Sequence, residues 1–259
     1  MADVPHLLEI AKSSAVEAGK AIMEVYRSGD FSASIKSDHS PLTKADRCAH
    51  SIILDHLNKT GLPVLSEEGK NIVYSERKLW EYFWLTDPLD GTKEFISKND
   101  EFTVNIALMH KNSPSGGVIY GPCSETLYVG SKETGAYKNE KGKLTQFSAL
   151  QNRRQYNDLL HIEHLAIVAS RSHQSPETTT FINRFTNATV TSMGSSLKFM
   201  LLLENRADIY PRWGTTMEWD TAAAHAILNA CNRGVYHTNL KSELMYNKPD
   251  LRNPPFVAF

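Results

Sequence analysis

Two carboxylates, Asp87 and Asp90, stand three residues apart in the run Asp-Pro-Leu-Asp-Gly-Thr, which follows the apolar segment 82–85. Aromatic and aliphatic residues are typical of a buried strand, and the proline and glycine predict an abrupt turn at its end. The turn would present both acids at the tip of a rigid element. Neighbouring carboxylates repel each other unless a cation lies between them, and Mg²⁺ prefers oxygen ligands. The pattern therefore predicts a magnesium site.

Two further acids lie where predicted elements end or begin. Glu67 follows a short strand at residues 64–65, and Asp220 precedes an alanine-rich helix. Taken singly, Glu67 and its neighbour Glu68 fit a solvated acidic turn as well as a metal site, and Asp220 fits a helix N-cap better than a ligand. The pair after the apolar strand is harder to explain by structure alone, because such a strand needs no acids at its end.

A similar motif, D-x-D-G-T after a strand, occurs in phosphatases that form an aspartyl-phosphate on the first acid. In that motif the two Asp residues are two apart, whereas here they are three apart with Pro88 between them. The motif also tends to lie near the start of its domain, and more than 80 residues precede it here. We therefore set aside an aspartyl nucleophile.

The composition is that of a soluble globular protein. The chain has 259 residues, 22% charged and 41% hydrophobic, which suffices for one domain or two packed lobes. A net charge of −1 provides no general field for a nucleic acid polymer, so phosphate binding requires a local cluster of cations. Three widely spaced cysteines predict reduced thiols. No secretory signal is visible and no apolar run approaches the ~20 residues of a membrane span, so we expect a cytoplasmic protein.

The predicted elements of the first half mix helices and strands. Apolar positions three and four residues apart predict a long amphipathic helix from Leu8 to Val25, and Thr43 with Asp46 predicts the start of a second. Residues 103–109 alternate polar and apolar side chains, as in a half-buried strand. A meander of further strands follows, with an antiparallel arrangement.

The second half alternates strands and helices after a polar junction at residues 151–158. We predict strands at residues 165–169 and 207–210, a helix at residues 197–203, and another that begins at Asp220. Elements in this order predict a mixed α+β or α/β fold.

Two sequence blocks are specific enough to indicate a family. Residues 84–92 match W-x-x-D-P-[apolar]-D-G-T and residues 219–223 match W-D-x-A-[AG], and both resemble the signatures of the inositol monophosphatase-like superfamily of magnesium-dependent, lithium-sensitive phosphatases. The resemblance covers nearly the whole chain. It implies a layered α-β-α-β-α sugar-phosphatase-type fold, with an antiparallel-sheet lobe at residues 1–150 and a mixed-sheet lobe at residues 151–259.

Within that superfamily, the chain is most similar to the bacterial CysQ-type 3′(2′),5′-bisphosphate nucleotidases. Residues 90–95 read Asp-Gly-Thr-Lys-Glu-Phe, whereas inositol phosphatases usually have D-G-T-x-N-F. The segments 40–46, 65–68, 170–173, 194–199 and 210–212 also follow the nucleotidase pattern. The resemblance implies hydrolysis of the 3′-phosphate of adenosine 3′,5′-bisphosphate, a by-product of sulfate assimilation, to AMP and phosphate.

Carried over to the matching positions, the resemblance implies a site for two or three Mg²⁺ ions. Glu67, Asp87 and the backbone carbonyl of Leu89 would hold one ion. Asp87, Asp90 and Asp220 would hold a second, and Glu67 would contribute to a looser third. We expect direct attack by metal-activated water without a covalent enzyme intermediate.

The resemblance also implies roles for residues around the metals. Thr92 would orient the attacking water, with its hydroxyl bonded to Asp46, so that Thr92, Asp46 and Glu67 form the catalytic set. Lys198, read alone, fits a solvated helix lysine equally well. The substrate-binding positions are expected to be Gly91, Thr92, His173, Ser195, Lys198, Arg212 and Asp220.

Two other functions stay open at this point. An inositol monophosphatase or sugar (bis)phosphatase of the same superfamily is disfavoured by Lys93 and Glu94. A non-catalytic nucleotide- or metal-binding module is disfavoured because every expected ligand is present. The expected partner is a small-molecule substrate. The sequence leaves open monomer or homodimer, peripheral association with the inner face of the cell membrane, and activity on 3′-phosphoadenylyl sulfate.

Overall fold

Alternating layers of helices and sheets make up the part of the chain that the computed structural model describes: residues 2–32, 34–35, 41–170, 175–185 and 187–259. The helices are α1 (Val4–Ser28), α2 (Lys44–Leu57), α3 (Tyr74–Arg77), α4 (Thr92–Ile96), α5 (Tyr156–Leu159), α6 (Pro176–Ile182), α7 (Leu197–Leu203) and α8 (Glu218–Asn229), with a 3₁₀ turn at Asn58–Thr60. The strands of the first half are β1 (Ser34–Ile35), β2 (Pro41–Leu42), β3 (Val64–Ser66), β4 (Tyr82–Asp90), β5 (Thr103–His110), β6 (Ser113–Gly121), β7 (Thr126–Ser131), β8 (Gly135–Glu140) and β9 (Lys143–Phe147). Those of the second half are β10 (Ala166–Ser170), β11 (Thr189–Met193), β12 (Tyr210–Arg212), β13 (Val235–His237) and β14 (Phe256–Ala258).

The first sheet has the strand order β3-β4-β5-β6-β7-β8-β9, antiparallel except for the parallel pair β3 and β4. On β5, Val104 and Ile106 pack with α1 and α2, whereas Ala107 and Met109 pack with α7 and α8. The expected meander is confirmed, but the half-buried strand is not. Residues 103–109 are buried on both faces, because helices cover both sides of the sheet.

Both predicted N-terminal helices are present: α1 extends a few residues beyond the predicted Leu8 and Val25 at each end, and α2 begins after Thr43 as expected. The Asp3 side chain accepts a hydrogen bond from the amide of His6 at 3.0 Å and caps α1. At the start of α2, the Thr43 side chain accepts from the Asp46 amide, and the Asp46 carboxylate accepts from the Thr43 amide at 2.7 Å. This reciprocal capping box fixes the Asp46 side chain, which matters for the site below.

The second sheet is mixed. Strands β10 and β11 are parallel, β12, β14 and β13 are antiparallel in that order, and a parallel bridge from Ile167 to Ile209 connects the two groups. The strand expected at residues 207–210 begins three residues later than predicted, at Tyr210. Asp208 instead turns the chain, because its carboxylate accepts a hydrogen bond from the Ala166 amide at 2.9 Å and pairs with Arg154.

Helices α7 and α8 lie between the two sheets and contribute to an apolar core shared by both halves of the chain. Helices α1 and α2 cover the outer face of the first sheet, and α5 and α6 cover the outer face of the second. The layer order α-β-α-β-α is therefore confirmed, while the division at residue 150 stays a prediction. In the described ranges, none of the helices combines the length and apolar character that a membrane crossing requires.

Glycines on β6 and β7 let α8 approach the first sheet closely. A Cβ atom added at Gly117 would lie 2.1 Å from the backbone oxygen of Ala223 in α8. We expect Gly117→Ala to lower the free energy of unfolding by about 1–3 kcal/mol, because neither backbone can yield without shifting the helix. Gly116→Ala is the matched control, since the three atoms nearest to its Cβ would be side-chain atoms of Leu8 at 3.0–3.3 Å. Equal losses in chemical denaturation would contradict the packing argument.

Candidate active site

A β-bulge in β4 brings the two central carboxylates to the same face. Residues three apart on a regular strand point to opposite faces. Here Asp87 pairs with Asn105 and Asp90 pairs with Thr103, so three steps on β4 match two steps on β5. The abrupt turn expected after Asp87 is thus corrected to a strand that continues through a bulge to Asp90. The Asp87 carboxylate also accepts from the Leu89 amide at 3.0 Å, which fixes its orientation.

A cavity of about 250 Å³ opens above the bulge and gathers acids from three segments, the end of β3, β4 and α8. It is lined by the side chains of Glu67, Asp87, Asp90 and Asp220. Loss of hydration, together with repulsion from Glu67, Asp90 and Asp220, raises the pKa of Asp87 well above its ordinary value. The pKa of Asp220 is raised in the same direction by burial and by repulsion from Asp90 and Glu67. A bound cation would relieve this repulsion.

The donor set fits Mg²⁺ by its chemistry. All four side chains are carboxylates, which a hard divalent cation prefers to nitrogen or sulfur. Among the described residues, however, no group of three or more His, Cys, Asp or Glu side chains is drawn together as a ligand cluster. One of the carboxylate oxygens is already engaged by the protein: Oδ2 of Asp90 accepts from the amide of Ser196 at 2.6 Å.

Asp220 is held at the first turn of α8 but is not its N-cap. The helix begins at Glu218 after the N-cap Met217, and Asp220 reaches back three residues to accept from the Met217 amide at 2.8 Å. The C-terminal segment fixes this helix start: Asn253 donates to the Met217 carbonyl at 2.6 Å. Glu218 is fully buried, accepts from the amide of Asn247 at 2.6 Å, and pairs with Lys248. The N-cap interpretation was wrong; Asp220 lines the cavity, and its role as a metal ligand stays a prediction.

Thr92 follows the bulge and contacts its predicted partner, Asp46, and a second acceptor. Its Oγ1 is 3.3 Å from Oδ1 of Asp46 and 3.3 Å from the carbonyl oxygen of Leu89. The other carboxylate oxygen of Asp46 accepts from the amide and hydroxyl of Thr43. The capping box of α2 therefore aims Asp46 at Thr92, and a single hydroxyl proton can go to either of its two neighbours.

Cationic side chains from the second half line the same cavity. Lys198 is not a solvated helix lysine: it is 6% exposed and donates to the carbonyl oxygen of Ser195 at 2.6 Å. Burial lowers the pKa of Lys198 to about 8, although the charge of Asp90 acts in the opposite direction. Arg212 is also buried and donates to the carbonyls of Gly214 and Thr215, each at 3.2 Å. The cavity is thus lined by both signs of charge, and we refer to the four carboxylates as its acidic wall and to Lys198 and Arg212 as its basic wall.

The structure brings most predicted site residues together, while His173 lies outside the described residues. Around this cavity it places Glu67, Asp87, Leu89, Asp90, Gly91, Thr92, Ser195, Lys198, Arg212 and Asp220, with Asp46 directly behind Thr92. Sequence reasoning missed Asn105, which donates to Asp90. Glu94, which the sequence indicated only as a mark of substrate class, is among the lining residues. The polar side chains at alternate positions of β5 were the available signal for Asn105.

The fold and this acid-lined cavity define the class: the chain belongs to the Inositol monophosphatase family, whose sequence profile matches residues 3–255. The chain is 40% identical over 253 residues to the 3′(2′),5′-bisphosphate nucleotidase CysQ of Salmonella typhimurium, across 96% of this chain and 98% of that protein. Identity to the protein of the same name from Escherichia coli strain K12 is 40% over 242 residues, or 92% and 94% of the two chains. The expected family resemblance is confirmed.

Solved structures agree with this assignment. CysQ from Bacteroides thetaiotaomicron, a bacterial member of the inositol monophosphatase family, superposes with a TM-score of 0.84 at 42% identity, covering 98% of this chain and 96% of that one. An inositol monophosphatase from Anabaena superposes with a TM-score of 0.72 at 22% identity, covering 100% and 91%. The second likeness shows a common fold alone.

Proposed function

We propose that this protein is a Mg²⁺-dependent phosphatase that removes the 3′-phosphate of adenosine 3′,5′-bisphosphate, giving AMP and phosphate. The observation that carries the proposal is that one cavity is lined both by the four carboxylates and by Lys198 and Arg212. A substrate with two phosphates can place one at each wall. The name of the relatives that are 40% identical over nearly the whole chain supports the same substrate class.

The acidic wall of the cavity accounts for the reaction. Two or three bound Mg²⁺ ions would supply an activated water and neutralise charge on the departing ribose oxygen. The Thr92 hydroxyl oxygen would accept a hydrogen bond from the water and so orient it, while the Thr92 O–H donates a hydrogen bond to Asp46 at 3.3 Å. Glu67 and Asp87 would hold the ions, together with Asp90, Asp220 and the Leu89 carbonyl. No protein nucleophile is required, because the water would form the new P–O bond as the bond to the ribose 3′-oxygen breaks, and the proton that the water loses would balance the one that the ribose oxygen takes up.

The basic wall accounts for the second phosphate. Lys198 and the backbone around Ser195 lie at the start of α7, within the same cavity as the acids. Because the Lys198 ammonium also donates to the Ser195 carbonyl at 2.6 Å, it both shapes this segment and provides charge. Arg212 would add a planar donor that suits phosphate oxygens.

Neutralising Lys198 should therefore affect a bisphosphate more than a monophosphate. We expect Lys198→Ala to raise KM for adenosine 3′,5′-bisphosphate by about 10- to 100-fold, the value of a lost charged hydrogen bond. KM for adenosine 3′-phosphate should change by less than about threefold, since that substrate has no second phosphate to hold.

Lys198→Met is the matched variant, because it keeps the buried aliphatic stem and removes only the ammonium. Steady-state kinetics of both variants on both substrates separate charge from packing. Equal losses on the two substrates would show that Lys198 only supports the Ser195 segment.

Product analysis tests the proposed reaction. Phosphorus NMR of the reaction mixture should show inorganic phosphate and AMP, with the 5′-phosphate retained. Acid quenching during turnover with 3′-³²P-labelled substrate should leave no label on the protein. Adenosine 3′-phosphate as the product, or label bound covalently to a side chain, would overturn the proposed regiochemistry or mechanism.

We propose that the enzyme works in the cytoplasm.

A further inference from the structure

A buried hydrogen-bond network connects the acidic wall of the cavity to the basic one. Oδ2 of Asp90 accepts from the side-chain amide of Asn105 at 3.2 Å and from the backbone amide of Ser196 at 2.6 Å. Oδ1 of Asn105 in turn accepts from the Ser196 hydroxyl at 2.8 Å. Thr103 closes the network, with its hydroxyl 3.1 Å from Asn105 Oδ1 and 2.8 Å from the Ser196 hydroxyl.

The position of this network in the fold indicates a role beyond packing. Thr103 and Asn105 share a face of β5 with Ala107 and Met109, which belong to the apolar core against α7 and α8. Thr103, Asn105 and Ser196 are each at most 1% exposed. Polar groups at such positions are costly unless they are fully hydrogen-bonded, and apolar residues would serve packing alone as well.

The network also fixes the direction of the Asn105 amide. An ionised Asp90 can only accept hydrogen bonds, so the NH₂ group of Asn105 must face it and the amide oxygen must face Ser196. One side chain therefore orients a metal-ligand carboxylate with one end and the start of α7 with the other.

The connection continues to the substrate-binding segment. Ser196 follows Ser195, whose carbonyl accepts from the Lys198 ammonium, and the Gly194 amide donates to Glu101 at 2.7 Å. The segment 194–198 is thus docked on the first sheet beside Asp90. Any movement of the Asp90 carboxylate toward a cation must be transmitted to this segment, since the two share a hydrogen bond of 2.6 Å.

We propose that Asn105 is a positioning residue that fixes Asp90 and the segment 194–198 as one unit, so that cation binding and bisphosphate binding are coupled through its amide. The substrate half of this inference rests on the function proposed above. Coupling of this kind is reciprocal: whatever orients Asp90 for the cation also orders the segment for the substrate. The supporting shell of a metal site commonly changes metal affinity in this way.

Asn105→Leu removes all three side-chain hydrogen bonds and keeps the branched shape and the number of heavy atoms of the side chain. Mn²⁺, detected by electron paramagnetic resonance without substrate, serves as the probe for the Mg²⁺ site. We expect the Mn²⁺ dissociation constant of Asn105→Leu to rise by about 10- to 100-fold. KM for the bisphosphate at saturating Mg²⁺ should rise as well.

Two further variants distinguish the bond that the Asn105 NH₂ group makes to Asp90 from the bond that the Asn105 amide oxygen makes to Ser196. Ser196→Ala keeps the backbone bond to Asp90 and loses the hydroxyl bond to Asn105, so it should raise KM and leave Mn²⁺ binding within about threefold. The double variant should raise KM by less than the product of the single effects, because both changes break the same bond. Asn105→Ala takes the place of the leucine variant if the latter does not fold.

Thr86→Val is the matched control, since Thr86 is a buried threonine of the neighbouring strand whose hydroxyl has no partner among the described residues. It should leave Mn²⁺ binding and KM unchanged. Unaltered Mn²⁺ affinity in a folded Asn105→Leu protein would overturn the proposal, even if its melting temperature fell. If the wild-type protein did not hydrolyse the bisphosphate, the proposed function would fail, while Mn²⁺ binding would still decide whether Asn105 positions Asp90.

Discussion

Replacing Asp87 by asparagine is expected to lower kcat by about 10²- to 10³-fold, because it removes a ligand predicted to be shared by two cations. Asp87 is 2% exposed and is the side chain around which the other acids of the cavity are grouped. Asparagine has nearly the same shape and keeps an acceptor for the Leu89 amide. The loss of activity would therefore reflect the lost charge and the weaker metal binding. Mg²⁺ titration of the steady-state rate measures it.

The same change is expected to stabilise the metal-free protein. In the absence of a cation, burial and repulsion from Glu67, Asp90 and Asp220 make the ionisation of Asp87 unfavourable, which raises its pKa and opposes folding. Removing one charge should raise Tm without Mg²⁺ by about 2–4 °C, which corresponds to about 1 kcal/mol in a protein of this size. Added Mg²⁺ should then stabilise the variant less than the wild type, since less of it binds the folded state.

Asp55→Asn, on the exposed face of α2, is the control for removing one negative charge at a distance from the cavity. It should change neither kcat nor the Mg²⁺ dependence of Tm. A variant at position 87 that is inactive but stabilised by Mg²⁺ as strongly as the wild type would contradict the ligand assignment.

Replacing Thr92 by valine is expected to lower kcat by about 10²- to 10³-fold with little change in KM, the loss typical of a residue that assists proton transfer. The hydroxyl of Thr92 lies 3.3 Å from Asp46 and is replaced by a methyl group of similar size. Mg²⁺ binding should persist, because Thr92 contributes no carboxylate.

Thr92→Ser retains the hydroxyl and should keep most of the activity, which separates the hydroxyl from the packing of the methyl group. Asp46 is a poorer test of the same pair. Its carboxylate also accepts from Thr43 at the start of α2, so its replacement would weaken the helix as well as the site. Full activity of Thr92→Val would rule out the assigned role of this hydroxyl.

The helix starts were predictable from the sequence because their signals are local. Thr43 with Asp46 is a complete capping box within four residues, and the apolar run 197–203 follows a serine pair. Asp220 shows the limit of such signals. An acid before an alanine-rich helix fits an N-cap, but the C-terminal segment, through Asn253 and Asn247, sets the helix start two residues earlier.

The relative placement of the carboxylates could not be predicted from the sequence. A spacing of three predicts opposite faces on a strand, and only the bulge between Asp87 and Asp90 places both toward the cavity. Pro88 was a partial signal, because a proline within a strand cannot donate to the ladder and favours a bulge. The role of Asn105 depends on a contact with Ser196, 91 residues away, which local patterns do not encode.

The central claim is that the two walls of the cavity select a bisphosphate, and one comparison tests it directly: kcat/KM for adenosine 3′,5′-bisphosphate against inositol 1-phosphate, at saturating Mg²⁺. A second phosphate held by charged hydrogen bonds predicts a preference of about 10²-fold for the bisphosphate. Equal or better hydrolysis of inositol 1-phosphate would contradict the role assigned to the basic wall and would make this protein an inositol phosphatase.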